Sequence, residues 1–141
     1  MNKDGPIIII EDDIDDQEIF EEIFQKLGYS NEVLFFSDGE EALTYLTHPA
    51  ILPFLILSDI NLPKLNGFEL RNKLKTDAAL AVKCIPYLFF STAMNQKAVV
   101  DAYSMSVQGF FVKHTSFSEL EKTISAIMEY WKRCAAPNNF E

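Results

Sequence analysis

The chain has 141 residues and a mass of 16.1 kDa, close to the commonest domain size and too short for two ordinary domains. Apolar residues make up 48% and include 12 Phe, so a sizeable core is available and wholesale disorder is excluded. Acidic residues number 21 against 12 basic ones, a net charge of −9 that removes any sequence-independent attraction to phosphate backbones or anionic lipid.

The charge is not spread evenly: 9 of the 21 acidic residues lie in the first 22 positions. Cys84 and Cys134 have neither paired spacing nor a nearby His, and read as free thiols in a reducing compartment. The start, Met1 to Pro6, leads into only four Ile before acids begin, unlike a signal peptide. No apolar run approaches the roughly 18–20 residues of a membrane span. The expectation is a soluble, cytoplasmic protein that binds neither nucleic acid nor membrane.

Pro6-Ile7-Ile8-Ile9-Ile10 is a β-branched run of the kind buried on both faces of a sheet, and it stops at Glu11-Asp12-Asp13. Phe20, Ile23, Phe24 and Leu27 then recur at helical spacing, with Gly28 as the stop. Glu32 to Phe36 reads as a second strand, and Asp38 with Glu41 starts a helix to about Leu46. Phe54 to Leu57 is a third strand ending at Ser58-Asp59. A loop with Pro63 leads to Gly67 and a helix through Leu74. Pro86 opens a fourth strand, Tyr87 to Phe90, ending at Ser91-Thr92. A helix from about Gln96 to Ser104 follows, then a fifth strand, Gly109 to Val112, ending at Lys113. Ser116 with Glu119 caps a last helix with an inner stripe of Leu120, Ile124, Ile127, Met128 and Trp131.

Strands alternating with helices predict an α/β doubly wound sandwich around a five-stranded parallel sheet. Ligand sites in such sheets lie at the carboxyl ends of the strands. The residues found there are Glu11-Asp12-Asp13, Asp59, Ser91-Thr92 and Lys113. Each alone has a plain structural account: helix capping for the acidic triplet, strand termination for Asp59, solvation for the lysine. Their joint placement after strands 1, 3, 4 and 5 is what points to chemistry. Carboxylates brought together repel unless a cation sits among them, and an oxygen-only donor set selects a hard ion, Mg²⁺. An Asp carboxylate can accept a phosphoryl group, whose oxygens Lys113 and Ser91 could neutralise and orient.

These residues coincide with a family pattern. The chain resembles, over about residues 6 to 132, the receiver domain of two-component response regulators. The match rests on Glu11-Asp12, Asp59-Ile60-Asn61-Leu62-Pro63 with Gly67, Ser91, and Phe110 three residues before Lys113. The resemblance implies a (βα)5 flavodoxin-like sandwich with strand order 2-1-3-4-5. It also implies that Asp59 accepts a phosphoryl group from a histidine kinase or histidine phosphotransfer protein. Asp12, Asp59 and the backbone carbonyl of Asn61 would bind Mg²⁺, with Glu11 acting through water and Asp13 outside the family's acidic pair. Ser91, with Thr92 as the register alternative, would be the switch hydroxyl, Phe110 the aromatic that moves with it, and Lys113 the partner of the phosphoryl group.

The family usually has proline after this lysine, with a cis peptide aiming the ammonium inward; here the next residue is His114. Either a strained cis bond is accepted or Lys113 points differently. Ala93 offers no polar group to orient an attacking water, which predicts a long-lived phosphoform. Asn61-Leu62-Pro63-Lys64 is also similar to small regulators partnered with phytochrome-type kinases.

The expected organisation is a receiver over residues 1–133 with a short tail, 134–141, and no attached output domain. Such a protein is not an enzyme beyond its own Mg²⁺-dependent phosphorylation and dephosphorylation. It would signal to a downstream protein, or form a phosphorylation-dependent homodimer, through the fourth helix, fifth strand and fifth helix, where Tyr103, Met105 and Phe110 lie. The alternative is an interaction module of the same fold that works without phosphorylation. An Asp-nucleophile phosphohydrolase would want a carboxylate where Asn61 stands, and a flavodoxin would not place acids where its phosphate loop belongs.

Overall fold

Ile7–Ile10 form β1, an interior strand of a computed structural model that describes residues 1–92, 95–113 and 116–137. Strand alternation sends Ile7 and Ile9 into one apolar layer and Ile8 and Ile10 into the other, which is why an unbroken apolar run suits this position. Leu55–Ser58 (β3) and Tyr87–Ser91 (β4) repeat the pattern and are wholly buried. Val33–Phe36 (β2) and Gly109–Val112 (β5) are the edges, and their side chains are mostly half-covered. Among the described residues the five strands are parallel, as the sequence pattern predicts, and lie in the order β2-β1-β3-β4-β5 that the resemblance implies.

Among the described residues six helices connect or flank them: Ile14–Leu27 (α1), Gly39–Leu46 (α2), Gly67–Thr76 (α3), Ala78–Ala81 (α4), Gln96–Ser104 (α5) and Phe117–Arg133 (α6). Phe20, Ile23 and Phe24 of α1 and Leu120, Ile124, Ile127 and Met128 of α6 close one face. Ala42 and Leu46 of α2, Leu70 and Leu74 of α3, Leu80 of α4 and Ala102 of α5 close the other. The single turn α4 corrects the expectation of five helices. Asp77 caps it by accepting from the amides of Ala79 and Leu80, immediately after ending α3.

Caps fall largely where the sequence puts them. Gly28 ends α1 with φ 74°, a left-handed conformation for which a glycine costs little. Asp38 and Ser116 accept from the amides of Glu41 and Glu119. The start of α3 carries a full capping box between Asn66 and Glu69. Past α6 the chain does not leave the body at once: Ala136 is only 3% exposed and packs into the α1–α6 core layer. Residues 138–141 of the expected tail lie outside the described residues. Among the described residues, no helix is long and apolar enough to cross a membrane.

Two cations work as structural clamps. Lys83 donates to the carbonyls of Leu46 at 2.7 Å and His48 at 2.9 Å, satisfying acceptors at and just beyond the C-terminal end of α2, and burial lowers its pKa. Arg71 on α3 donates to the carbonyls of Met105 (3.0 Å) and Ser106 (2.7 Å), tying α3 to the turn before β5.

Candidate functional site

The parallel register sets the site. Ile10 pairs with Ser58, so Glu11 and Asp59 emerge side by side from β1 and β3. The Asp59 amide donates to the Ile10 carbonyl at 3.0 Å. Ser91 pairs with Val112, and the Lys113 amide donates to the Ser91 carbonyl at 3.0 Å, bringing the lysine to the same end of the sheet. Four residues remote in sequence thus converge through strand pairing alone.

Lys113 is the electrostatic centre. Its Nζ donates to Glu11 Oε2, to Asp59 Oδ2 at 3.0 Å and to Asp16 Oδ2 at 3.1 Å, with its side chain 10% exposed. Asp59 is held from both ends: its Oδ1 accepts from the amides of Ile60 at 2.7 Å and, more weakly, Asn61 at 3.4 Å, leaving Oδ2 toward the lysine. Glu11 is 2% exposed. Burial pushes its pKa up to about 7, against the hydrogen bond and charge of Lys113, which lower it. Burial lowers the Lys113 ammonium's pKa, but its hydrogen bonds to Glu11 and Asp59 and their charges outweigh that and hold it above the ordinary lysine value.

Carboxylate oxygens of Glu11, Asp12 and Asp59 all lie within 4.8 Å of one another. A compact set of oxygens, with no thiol or imidazole, fits a hard divalent cation such as Mg²⁺. Asp12 and Asn61 are exposed at the mouth, Asp59 is partly covered and Glu11 forms the floor. Asp13 belongs to the helix instead: its Oδ1 accepts from the amides of Asp15 and Asp16 as the N-cap of α1.

Ser91 is buried at 1% exposure, whereas Thr92 is exposed, so the first of the two hydroxyls sits within the sheet. Two residues before Ser91, Phe89 pairs in register with Phe110 of β5, and their rings stand 6.1 Å apart. Strand alternation puts Ser91 on the face that these two rings share. Ala93 and His114 lie outside the described residues. Asp16 is the site residue that sequence reasoning missed. As an acid in the first turn of a helix it has an ordinary dipole explanation. The available signal was its place one turn beyond Asp12, at the strand-end face where the other acids collect.

A family model described as the response regulator receiver domain matches residues 7–125. Over 129 residues the chain is 31% identical to the probable methanogenesis regulatory protein FilR2 of Methanothrix harundinacea, covering 89% of this chain and 82% of that protein. It is 28% identical over 130 residues to the response regulator Rcp1 of Synechocystis, with 89% and 87% covered. Among solved structures, the phosphorylated cyanobacterial phytochrome response regulator RcpA superposes with a TM-score of 0.84 at 31% identity, covering 94% of this chain and 97% of that one. The Mn²⁺-bound form of Rcp1 gives a TM-score of 0.81 at 27% identity, with 93% and 97% covered.

Proposed function

This chain belongs to the response regulator receiver domain family, and on that premise we propose that Asp59 is the phosphoacceptor of a cytoplasmic two-component relay, within a receiver of residues 1–133. One observation carries the reading. An Asp59 oxygen and the Lys113 ammonium meet at 3.0 Å, beside a three-carboxylate cluster suited to Mg²⁺. An Asp59 oxygen attacks the phosphorus of a phosphohistidine on the donor protein. The P–N bond breaks, and its electron pair leaves with the imidazole nitrogen, which takes up a proton. Lys113 is placed to donate a hydrogen bond to a phosphoryl oxygen. Asp12, Asp59 and the Asn61 carbonyl would hold Mg²⁺, with Glu11 acting through water, and the ion would supply charge that offsets the crowded carboxylates and phosphoryl oxygens. The protein carries a signal and does not turn over an external substrate.

Incubation with acetyl phosphate and Mg²⁺ tests this by intact mass, which is expected to rise by about 80 Da. Asp59→Asn is expected to abolish the adduct. No adduct on the native chain, or labelling that survives Asp59→Asn, would overturn the assignment and favour a phosphorylation-independent interaction module.

The donor surface is supported by Ile14, which opens α1 beside Asp12 and Asp13 and is 68% exposed. A large apolar side chain standing in water at the mouth of the site suits a protein partner. The Asn61-Leu62-Pro63-Lys64 loop and the likeness to a phytochrome response regulator support a phytochrome-type histidine kinase as donor. Ile14→Asp is expected to slow transfer from that kinase about tenfold while leaving acetyl phosphate labelling unchanged. Equal loss with both donors would place Ile14 in the fold of the site instead.

Output runs through Ser91 and Phe110. A phosphoryl group that draws the Ser91 hydroxyl toward Asp59 frees space for the Phe110 ring, repacking the face of α5, β5 and α6. Val100 and Tyr103 of α5 are 51% and 53% exposed there, which fits a downstream partner surface.

A further inference from the structure

Lys113 touches three carboxylates, and they are not equivalent. Glu11 and Asp59 belong to the group whose oxygens lie within 4.8 Å of one another and could hold a cation; Asp16 does not. From this we infer that Asp16 is a positioning residue for Lys113: it is the counterion the lysine keeps when a divalent cation draws on Glu11 and Asp59. The inference rests on the metal and phosphoacceptor reading above and adds a residue to it.

The placement of Asp16 gives it this role. Asp13 caps α1 through the amides of Asp15 and Asp16, which fixes the first helical turn at the end of β1. The Asp16 carboxylate then reaches Lys113 Nζ at 3.1 Å, with 35% of its side chain exposed. The Lys113 amide is anchored on the Ser91 carbonyl. Its ammonium is therefore set by the backbone of β5 at one end and by carboxylates at the other.

Charge decides what happens when a cation arrives. An ammonium and a divalent cation drawing on the same two carboxylates repel each other. Without Asp16, the lysine has, among the described residues, only Glu11 and Asp59 as counterions, so it competes directly with the metal. With Asp16, the ammonium can shift its weight to a third oxygen and stay within reach of Asp59 Oδ2, where a phosphoryl oxygen would come. Asp16 thus lowers the conflict between the two cations that the reaction needs at once.

The test is a Mg²⁺ titration by calorimetry on native protein, Asp16→Asn, Asp16→Glu, Lys113→Met and the double variant Asp16→Asn with Lys113→Met. Asp16→Asn is expected to weaken Mg²⁺ binding about three- to tenfold, and Asp16→Glu to recover most of it. In the Lys113→Met background, Asp16→Asn is expected to have a clearly smaller effect, because no ammonium is left to place. A second readout is the NMR signal of the Lys113 side-chain ¹³Cε. In Mg²⁺ it should move toward the exposed-lysine position in Asp16→Asn but not in Asp16→Glu. If Asp16→Asn weakens Mg²⁺ equally with and without Lys113, Asp16 acts only as bulk negative charge and the inference fails. If Mg²⁺ affinity and the lysine signal are untouched, it fails while the phosphoacceptor reading stands. If the native chain binds no Mg²⁺, both fail together.

Discussion

Lys113→Met is expected to cost the metal-free protein about 1 kcal/mol near pH 5.5 and about 3 kcal/mol or more near pH 8. Among the described residues, Lys113 makes the only ion pairs with Glu11 and with Asp59. Removing it strands Glu11, which is 2% exposed and cannot recover hydration. The stranded group can escape by taking a proton, and that escape is what makes the loss depend on pH.

The direction follows from the native protein. Burial holds Glu11 at about 7 in the fold, above its ordinary 4.5. A carboxyl raised in this way contributes stability that is fully present below the unfolded value and lost as pH rises through the folded value. Metal-free native protein should therefore lose stability across roughly pH 4.5 to 7 on account of Glu11. Lys113 restrains that shift through its hydrogen bond and its charge. Without it the Glu11 pKa climbs further, and the unfavourable window widens toward higher pH.

Mg²⁺ reverses the trend, because the ion and the proton compete for the same carboxylates. The stabilisation given by Mg²⁺ should grow from about pH 5.5 to 8 in the native protein. It should be larger still in Lys113→Met, where one competing cation has gone. Urea unfolding at several pH values, with and without Mg²⁺, measures all of this. A loss that is the same at every pH would mean that Glu11 is not the group left exposed to the change.

Much of this site was legible before any coordinates, and the reason is geometric. A doubly wound sheet puts its chemistry after the strands, and Ile7–Ile10, Phe54–Leu57 and Tyr87–Phe90 are apolar enough to mark where strands stop. Glu11, Asp12, Asp59, Ser91 and Lys113 could therefore be collected from one dimension. Asp16 was not, because its place one turn beyond Asp12 is an ambiguous signal: a helical acid there reads the same whether it faces water or a lysine 97 residues away. Lys83 hid for a similar reason: as a sequence letter it is a surface cation, yet it is 7% exposed and closes the end of α2. Ala78–Ala81 went unseen because four residues are too few to show a helical period. In each case the missing information is a long-range contact or a very short element, neither of which periodicity encodes.

Gly67→Ala should be the most damaging single-methyl change near the site. A Cβ there would meet the Asp59 carbonyl oxygen at 2.5 Å, the Phe89 ring at 2.7 Å and the Ile60 Cα at 3.0 Å. Two of those neighbours are backbone, so no side chain can swing away to make room. The Gly67 amide also donates to the Ile60 carbonyl at 2.8 Å, which ties the start of α3 to the segment that carries Asp59. Relief must come from moving that segment, and with it the Asp59 carboxylate held by the Ile60 and Asn61 amides. The expected cost is about 2–3 kcal/mol, at the upper end for an overpacked site, together with weaker Mg²⁺ binding and slower labelling by acetyl phosphate. Gly28→Ala makes the control. Its Cβ would meet nothing within 4 Å, and only the left-handed φ of 74° resists the change. That should cost about 1 kcal/mol and leave labelling untouched. Thermal unfolding with intact-mass labelling separates the two. If Gly67→Ala melts like the native chain and labels at the native rate, the close approach of α3 to Asp59 is not what holds the phosphoacceptor in place.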